Sequence, residues 1–534
     1  MPLARSLTLV EVLDRHAAER GASPALYYRE RAVGYAALRE ESLRVARGLA
    51  DLGIGAGDRV ALWLPNAPAW LACLFACARL GAVALATNTR FRGAEMQDIL
   101  GRSGARLLVY WPAFRGIDFS DIIEGLDARA VADLRAVVAY QEAGEPDPPQ
   151  RVHGIAVHRY RALAERSPLE RDDARADAGC VMFTTSGTTS APKFVLHRQA
   201  SIAQHMLDVA RGFGYFEPGA VGLGVLPFCG TYGLCTALAP IAAGVPLAVD
   251  ASFDAGRMLE AMRRYRVTNT NFTADMVDQL LAAARDDSVL RGIRFAGVGT
   301  GAPQRIEAAA ARGLRIAGVY GSSEVQALFS HQNAIESPLA ERALGGGHPI
   351  SPYAEVRVRD VNTGKLCAHG DGGMLEIRAP SQMAEYFGNA QATREAIDAD
   401  GFLRTGDLGC TLADGRIIYQ ARMGDVLRLS GFLVSPPQIE AVLAEHPAVA
   451  ACQVIGLERE QTMRPYAFVV LRAGARFDEQ ELIAFARGRM ARYKVPARVF
   501  ALDEFPTTPS ANAVKVQKAK LREMASALLA AGAS

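Results

Sequence analysis

The absences in this 534-residue chain narrow its class before any motif is read. No block of Lys and Arg stands out, and 59 basic against 57 acidic side chains leave a formal charge of +2, so a nucleic-acid or anionic-membrane surface has no electrostatic support. The eight cysteines (Cys73, Cys77, Cys180, Cys229, Cys235, Cys367, Cys410, Cys452) include no CxxC pair and no Cys/His cluster, which argues against a structural metal. Arg5, Glu11, Asp14 and Arg15 precede any apolar run, so no secretory signal is expected and a reducing, cytoplasmic setting fits. A membrane span is also missing. Ala67 to Thr87 is apolar apart from Arg79, but Pro68 and Gly81 bound a helix-length piece. Val221 to Val249 carries no charge, yet Pro227, Pro240, Pro246 and five glycines interrupt it, short of the roughly 20 continuous apolar residues that spanning requires. No repeat of roughly 20 to 50 residues is visible, which removes solenoids and propellers.

With 50% hydrophobic and 22% charged residues, the chain has ordinary globular usage, and its partners are expected to be small molecules. Its length suggests about three to four domains or one very large one. Short apolar runs alternate with helical patterns: strand Arg59 to Trp63, helix Trp70 to Leu80, strand Ala82 to Ala86, helix Glu95 to Ser103, strand Arg106 to Tyr110. Such alternation predicts βαβ units and mostly parallel, doubly covered sheets, an α/β fold. Near Gly424 the pattern restarts, with helix Pro436 to Glu445, strands near Val449 to Ile455 and Tyr466 to Leu471, and helix Asp478 to Met490. The expected division is therefore a large domain over residues 1–423 and a small α+β domain over 424–534.

The strongest local signal is ThrThrSerGlyThrThrSerAlaProLys, residues 184 to 193. Small hydroxyl residues around Gly187 supply backbone and side-chain donors that can wrap a polyphosphate, and Lys193 adds a positive charge. It is not a Walker A loop, because Pro192 precedes the lysine and Phe194 follows it. A Ser/Thr-rich surface loop is the plainer alternative.

This run resembles the TSGTTGxPK signature of the adenylate-forming superfamily, which holds acyl- and aryl-CoA synthetases, luciferases and peptide-synthetase adenylation domains. Four further motifs stand in that family's order, from about residue 30 to 522. TyrGlySerSerGlu (320 to 324) resembles YGxTE, GlyThrGlyAlaPro (299 to 303) resembles GGAP, and ThrGlyAsp (405 to 407) resembles the ribose-binding turn. AlaArgMetGlyAspValLeuArgLeuSerGly, from residue 421, resembles the interdomain stretch GRxDDxIxxxG. The resemblance implies an ATP site of Thr185, Ser186, Gly187, Thr188, Thr189, Lys193, Gly301, Ala302, Pro303, Tyr320, Gly321, Ser323, Asp407 and Arg422. In it Tyr320 stacks on adenine, Ser323 touches the α-phosphate, Glu324 helps hold Mg²⁺, and Asp407 and Arg422 hold the ribose. Gly431 would line the CoA pantetheine tunnel and Gly424 would be the hinge of a mobile small domain. Near the C-terminus, residues 505 to 522 resemble PxTxxGKxxRxxLR, which makes Lys515 the catalytic lysine and leaves Lys518 as the other candidate. The sequence departs from the family at Gly424, usually acidic or Lys, and at Val514, usually Gly.

The activity this implies is attack of a carboxylate on the α-phosphate of MgATP, then transfer of the acyl group to the thiol of CoA, with Lys193, Lys515 and Glu324 supplying charge. A homodimer is left open. For the acyl group the resemblance points to Phe228, Gly230, Tyr232, Gly297 and Gly299. The usual aromatic-His pair of that segment has become Cys229-Gly230. Small residues there give room for a longer chain or ring, or else serve close packing. The chargeless 221–249 stretch favours a fatty, aryl or otherwise apolar acid. Two other readings stand beside CoA ligation: loading of a carrier-protein phosphopantetheine arm, and non-catalytic nucleotide binding.

Overall fold

The computed structural model describes residues 7–185, 192–299, 303–429, 432–434, 436–459, 462–509 and 514–531. By compactness the chain divides into two units, Met1–Glu355 with Ile377–Leu403, and Val356–Glu376 with Arg404–Ser534.

The first unit is built on two mostly parallel sheets. In one, Gly179–Thr184, Val83–Ala86, Arg59–Trp63, Leu107–Tyr110, Ala136–Ala139 and Ile155–Arg159 run parallel in that spatial order. Phe194–Arg198 and then Glu385–Tyr386 add antiparallel strands at its end. In the other, Pro24–Tyr28, Leu247–Val249, Gly222–Gly224, Asn269–Phe272, Phe295–Val298 and Ile316–Ser322 are parallel, and the antiparallel Gln326–His331 follows. The alternation of short apolar runs with helical patterns predicts this, because strands covered on both faces read as continuous apolar stretches. Strand Arg59–Trp63 falls where its pattern places it, and Pro68–Arg79 and Gly93–Ser103 are the expected helices to within two residues at every end.

The first long apolar stretch is bounded where Pro68 and Gly81 predict, whereas in the second Pro240 lies inside a helix instead of interrupting it. Pro68 starts a helix at the position where its missing N–H costs nothing, and that helix is buried all round. Thr231–Ala243 is also buried all round and contains Pro240. It stops at Gly244, whose φ of +72° is the left-handed cap that glycine adopts without strain. No described helix is long and apolar enough to cross a membrane. All eight cysteines are free.

The second unit holds, all but Leu403 itself, the antiparallel pair Leu403–Thr411 and Ile417–Arg422. A 3-10 turn, Met423–Asp425, leads from it to the small hairpin Leu427–Leu429 and Phe432–Val434. Beyond lies a three-stranded sheet of Val449–Arg459, Thr462–Leu471 and Val499–Ala501. Successive side chains of a strand face opposite ways. Val454, Ala467 and Val469 accordingly join one core with Ile439, Leu443 and Leu482, while Ile455, Tyr466 and Phe468 join another with Leu521 and Ala525 of the helix Lys518–Ala531. The sequence-based boundary at Gly424 coincides with the 3-10 turn, whereas compactness groups residues 404–422 with the C-terminal segment.

Candidate functional site

The strands Gly179–Thr184 and Phe194–Arg198 form a hairpin that carries the hydroxyl-rich loop. Its base is closed twice: Thr185 N donates to Lys193 O at 3.0 Å, and Lys193 N donates to Thr185 Oγ1 at 3.1 Å. Ser186, Gly187, Thr188 and Thr189 lie outside the described residues, as do Gly301, Ala302 and Gly431. Pro303 begins the helix Pro303–Ala311. The Lys193 ammonium sits 4.4 Å from the ring centroid of Tyr386. The Tyr386 hydroxyl donates to Glu324 Oε1 at 2.9 Å. Two of the charged residues singled out in the sequence thus converge on one aromatic ring, which motif reading did not find. Tyr386 is placed there by its strand, paired with Val195 and Leu196, and by Met383 N donating to Glu324 O at 2.7 Å.

The segment bearing Glu324 is fixed from several sides. Tyr320 ends nearly buried, edge-on to Phe329. At Gly321 a Cβ would meet Gln326 O at 2.5 Å and Ala327 Cα at 2.7 Å, so the hairpin needs glycine there. Ser322 Oγ accepts from Glu324 N at 3.2 Å and shapes the turn. Gln326 and Leu328 both hold φ of +63°, a strained left-handed conformation for residues with side chains. Bonds from Gln326 Nε2 to Ser201 O (3.2 Å) and Ser381 O (3.1 Å) restrain the first. His197 Nε2 bonds Ser323 O and His205 Nε2 bonds Ala327 O, each at 2.7 Å. Burial pushes both imidazoles down to about 4, so they are neutral near pH 7. Because both partners are carbonyl acceptors, each Nε2 carries the ring proton. His197, His205 and Gln326 carry no motif; the one signal is that His197 falls on the inward alternation of the strand Phe194–Arg198.

In the second unit the two ribose candidates meet. Asp407 and Arg422 are direct partners across paired strands. Arg422 donates to Asp407 Oδ1 at 2.8 Å and to Thr405 O at 2.7 Å, while Asp407 N donates to Thr405 Oγ1 at 3.0 Å. Asp407 is 3% exposed, a buried carboxylate whose charge is paired. Gly424 lies in the 3-10 turn; its φ is not left-handed, and a Cβ there would meet none of the described residues within 4 Å. Lys515 lies on the hairpin of Thr507–Pro509 and Val514–Val516, opposite Thr508. Lys518 is occupied elsewhere: its ammonium lies 3.8 Å from Glu440 Oε1, and both side chains are mostly buried. Burial raises the Glu440 carboxyl pKa, and the Lys518 charge opposes that shift.

The acyl candidates separate into two kinds. Phe228 is buried edge-on against Trp70, and Gly230 precedes the helix Thr231–Ala243. The Tyr232 hydroxyl reaches the carbonyls of Gly297 (3.1 Å) and Phe272 (3.2 Å). At Gly297 a Cβ would lie 2.0 Å from Asn271 Oδ1, so smallness there serves close packing rather than room. At Gly299 a Cβ would meet none of the described residues within 4 Å. Burial pushes the thiols of Cys229 and Cys235 up to about 12, leaving them unreactive near neutral pH.

The residues present fit a magnesium ion in one way. Glu324 Oε1 takes the Tyr386 hydroxyl, and Oε2 has no partner among the described residues. No group of three or more His, Cys, Asp or Glu among the described residues could cage a metal. One carboxylate oxygen, with phosphate oxygens and water, is the set that Mg²⁺ commonly takes.

A cation and a carboxylate brought to one ring between two mostly parallel sheets, with a smaller α+β domain following in the chain, is the layout of an adenylate-forming enzyme. The chain belongs to the AMP-binding enzyme family: residues 13–387 match the AMP-binding enzyme domain and residues 438–512 its C-terminal domain. As a member of that family it is an AMP-forming acid–thiol ligase. It is 30% identical over 527 residues, covering 97% of this chain and 99% of the relative, to a Mycobacterium tuberculosis CoA ligase for a methyl-dioxo-octahydroindenyl propanoyl group. It is 28% identical over 536 residues, covering 97% and 96%, to a fatty acid–acyl-carrier-protein ligase of Streptomyces coeruleorubidus. The fold is also that of Bacillus subtilis o-succinylbenzoate coenzyme A synthetase solved with ATP and magnesium, at TM-score 0.78 and 24% identity over 93% of this chain and 96% of that one.

Proposed function

We propose that this ligase activates an apolar fatty or aryl carboxylic acid and transfers it to CoA. The observation that carries the reading is the convergence of Lys193 and Glu324 on Tyr386: a cation and a carboxylate held a ring apart suit a polyphosphate and its metal. In the first half-reaction a substrate carboxylate oxygen bonds the α-phosphorus as the bond to pyrophosphate breaks. Lys193 stabilises the charge on the phosphates, and Glu324 would hold Mg²⁺, which supplies electrostatic stabilisation of those same oxygens when bound. Asp407 accepts the ribose hydroxyls beside Arg422, and Tyr320 offers its ring to adenine. In the second half-reaction a thiolate attacks the acyl carbon, AMP leaves, and the thiol proton passes to solvent.

For the C-terminal lysine we favour Lys515, because Lys518 is held by Glu440 within its own unit. The small domain would begin at 424 and turn at Gly424, with Gly431 toward the pantetheine. An apolar substrate is favoured by Gly299, where a Cβ would meet none of the described residues, and by the uncharged 221–249 stretch. Eight free thiols suit a reducing, cytoplasmic compartment. The second reading is transfer to a carrier protein, which the Streptomyces relative favours. A panel of carboxylates assayed for AMP release with and without CoA tests both. AMP release from an apolar acid that multiplies on adding CoA supports the first reading, while release that only a phosphopantetheinylated carrier stimulates supports the second.

A further inference from the structure

We propose that Tyr386 is a positioning residue of the adenylation site, setting Lys193 with its ring and Glu324 with its hydroxyl; the proposal rests on the adenylating reading above. A lysine and a glutamate this close to one ring would ordinarily satisfy each other as an ion pair, and such a pair would have to be broken before phosphate and metal could bind. Here they do not. The ammonium lies over the ring, 4.4 Å from its centroid, and the carboxylate takes the hydroxyl at 2.9 Å. Each charge is therefore held by a neutral group. A cation on a ring face keeps its own donors for phosphate oxygens. A carboxylate anchored through Oε1 presents Oε2, which has no partner among the described residues.

The geometry of the ring is itself over-determined. Glu385–Tyr386 is a two-residue strand paired with Val195 and Leu196, two and three residues after Lys193, and Tyr386 is 7% exposed. Met383 N fixes the backbone of Glu324 from the same segment. Three stretches far apart in sequence thus hold one another through a single side chain. This aromatic residue lies outside every motif singled out in the sequence.

Two variants separate the two contacts. Tyr386→Phe keeps the ring over Lys193 and removes the hydroxyl; Tyr386→Leu removes both. Calorimetric titration of the full chain with ATP, at a series of magnesium concentrations and without magnesium, reads binding independently of turnover. Tyr386→Phe should bind ATP without magnesium as the wild type does, but should need about tenfold more magnesium for the same gain in affinity, as loss of a group that orients a metal ligand does. Tyr386→Leu should weaken metal-free ATP binding as well. In a Glu324→Gln background the step from Tyr386 to Phe should change nothing, because the hydroxyl acts through that carboxylate. A wild type with normal magnesium dependence and an indistinguishable Tyr386→Phe overturns this proposal alone. A wild type that binds ATP no better with magnesium than without overturns the reading of Glu324, and this proposal with it.

Discussion

The Glu324 segment and the Lys515 hairpin are expected to serve one reaction, yet they are built in opposite ways. Residues 320–328 are held by two buried histidines, by the Gln326 amide and by Tyr386, and they keep two left-handed residues in place against strain. Lys515 sits on a hairpin of two three-residue strands, where the neighbouring Val516 packs on the core around Phe468 and Leu521. The contrast teaches that the charges assigned to the first unit are braced by buried polar contacts, while the lysine assigned to a single half-reaction rides on a short hairpin with an apolar anchor.

The sharpest break of that comparison is Lys515→Ala. It should lower pyrophosphate exchange by about 10³ while leaving thioester formation from supplied acyl-AMP within about twofold, if the charge serves the first half-reaction as assigned. Lys518→Ala should instead leave exchange intact and lower the denaturant midpoint through Glu440. The reverse pattern would move the catalytic assignment three residues on. Next in size, Lys193→Ala and Glu324→Ala should each cost about 10² in exchange rate; wild-type exchange by either removes its assigned role. Gly424→Pro should lower one half-reaction by about tenfold and spare the other, with the circular dichroism unchanged, because proline fixes φ near −65°. Equal rates in both would show that no rotation turns on this residue.

The smallest effect tests the brace itself. His197 and His205 have folded pKa values of about 4 against an unfolded value of 6.5. Between those limits the unfolded chain binds more protons, so stability rises with pH across that window and is lost as pH falls from about 6.5 toward 4. The slope should be on the order of 1 kcal/mol per pH unit for each histidine. Urea midpoints taken at pH 7.5, 6 and 5 measure it, and His205→Gln should flatten the curve. An unchanged slope in that variant would mean that His205 does not titrate as described.

The fold was legible because its periodicities are local: the pattern over Arg59 to Trp63 is the strand itself, and Pro68 and Gly81 mark real ends. The Asp407–Arg422 pair was also foreshadowed, since both stand in motifs of fixed spacing. Tyr386, His197 and Gln326 were not, because their roles arise from convergence of segments up to about 190 residues apart, which no short-range pattern encodes. Gly297 and Gly299 looked alike in sequence; Asn271 and Val319, arriving from the two neighbouring strands, tell packing at the first from the second.

That contact between Asn271 and Gly297 also constrains how the protein can change over generations. A methyl at 297 would meet Asn271 Oδ1 at 2.0 Å and Val319 Cγ1 at 2.9 Å, so Gly297→Ala requires both neighbours to give way. A smaller residue at 271 removes only the first obstacle, and alanine at 297 in turn disfavours a return to asparagine. The three positions therefore drift together in mutational space: lineages that diverge at 297 move their neighbours first, and a library that varies 297 alone is biased toward glycine.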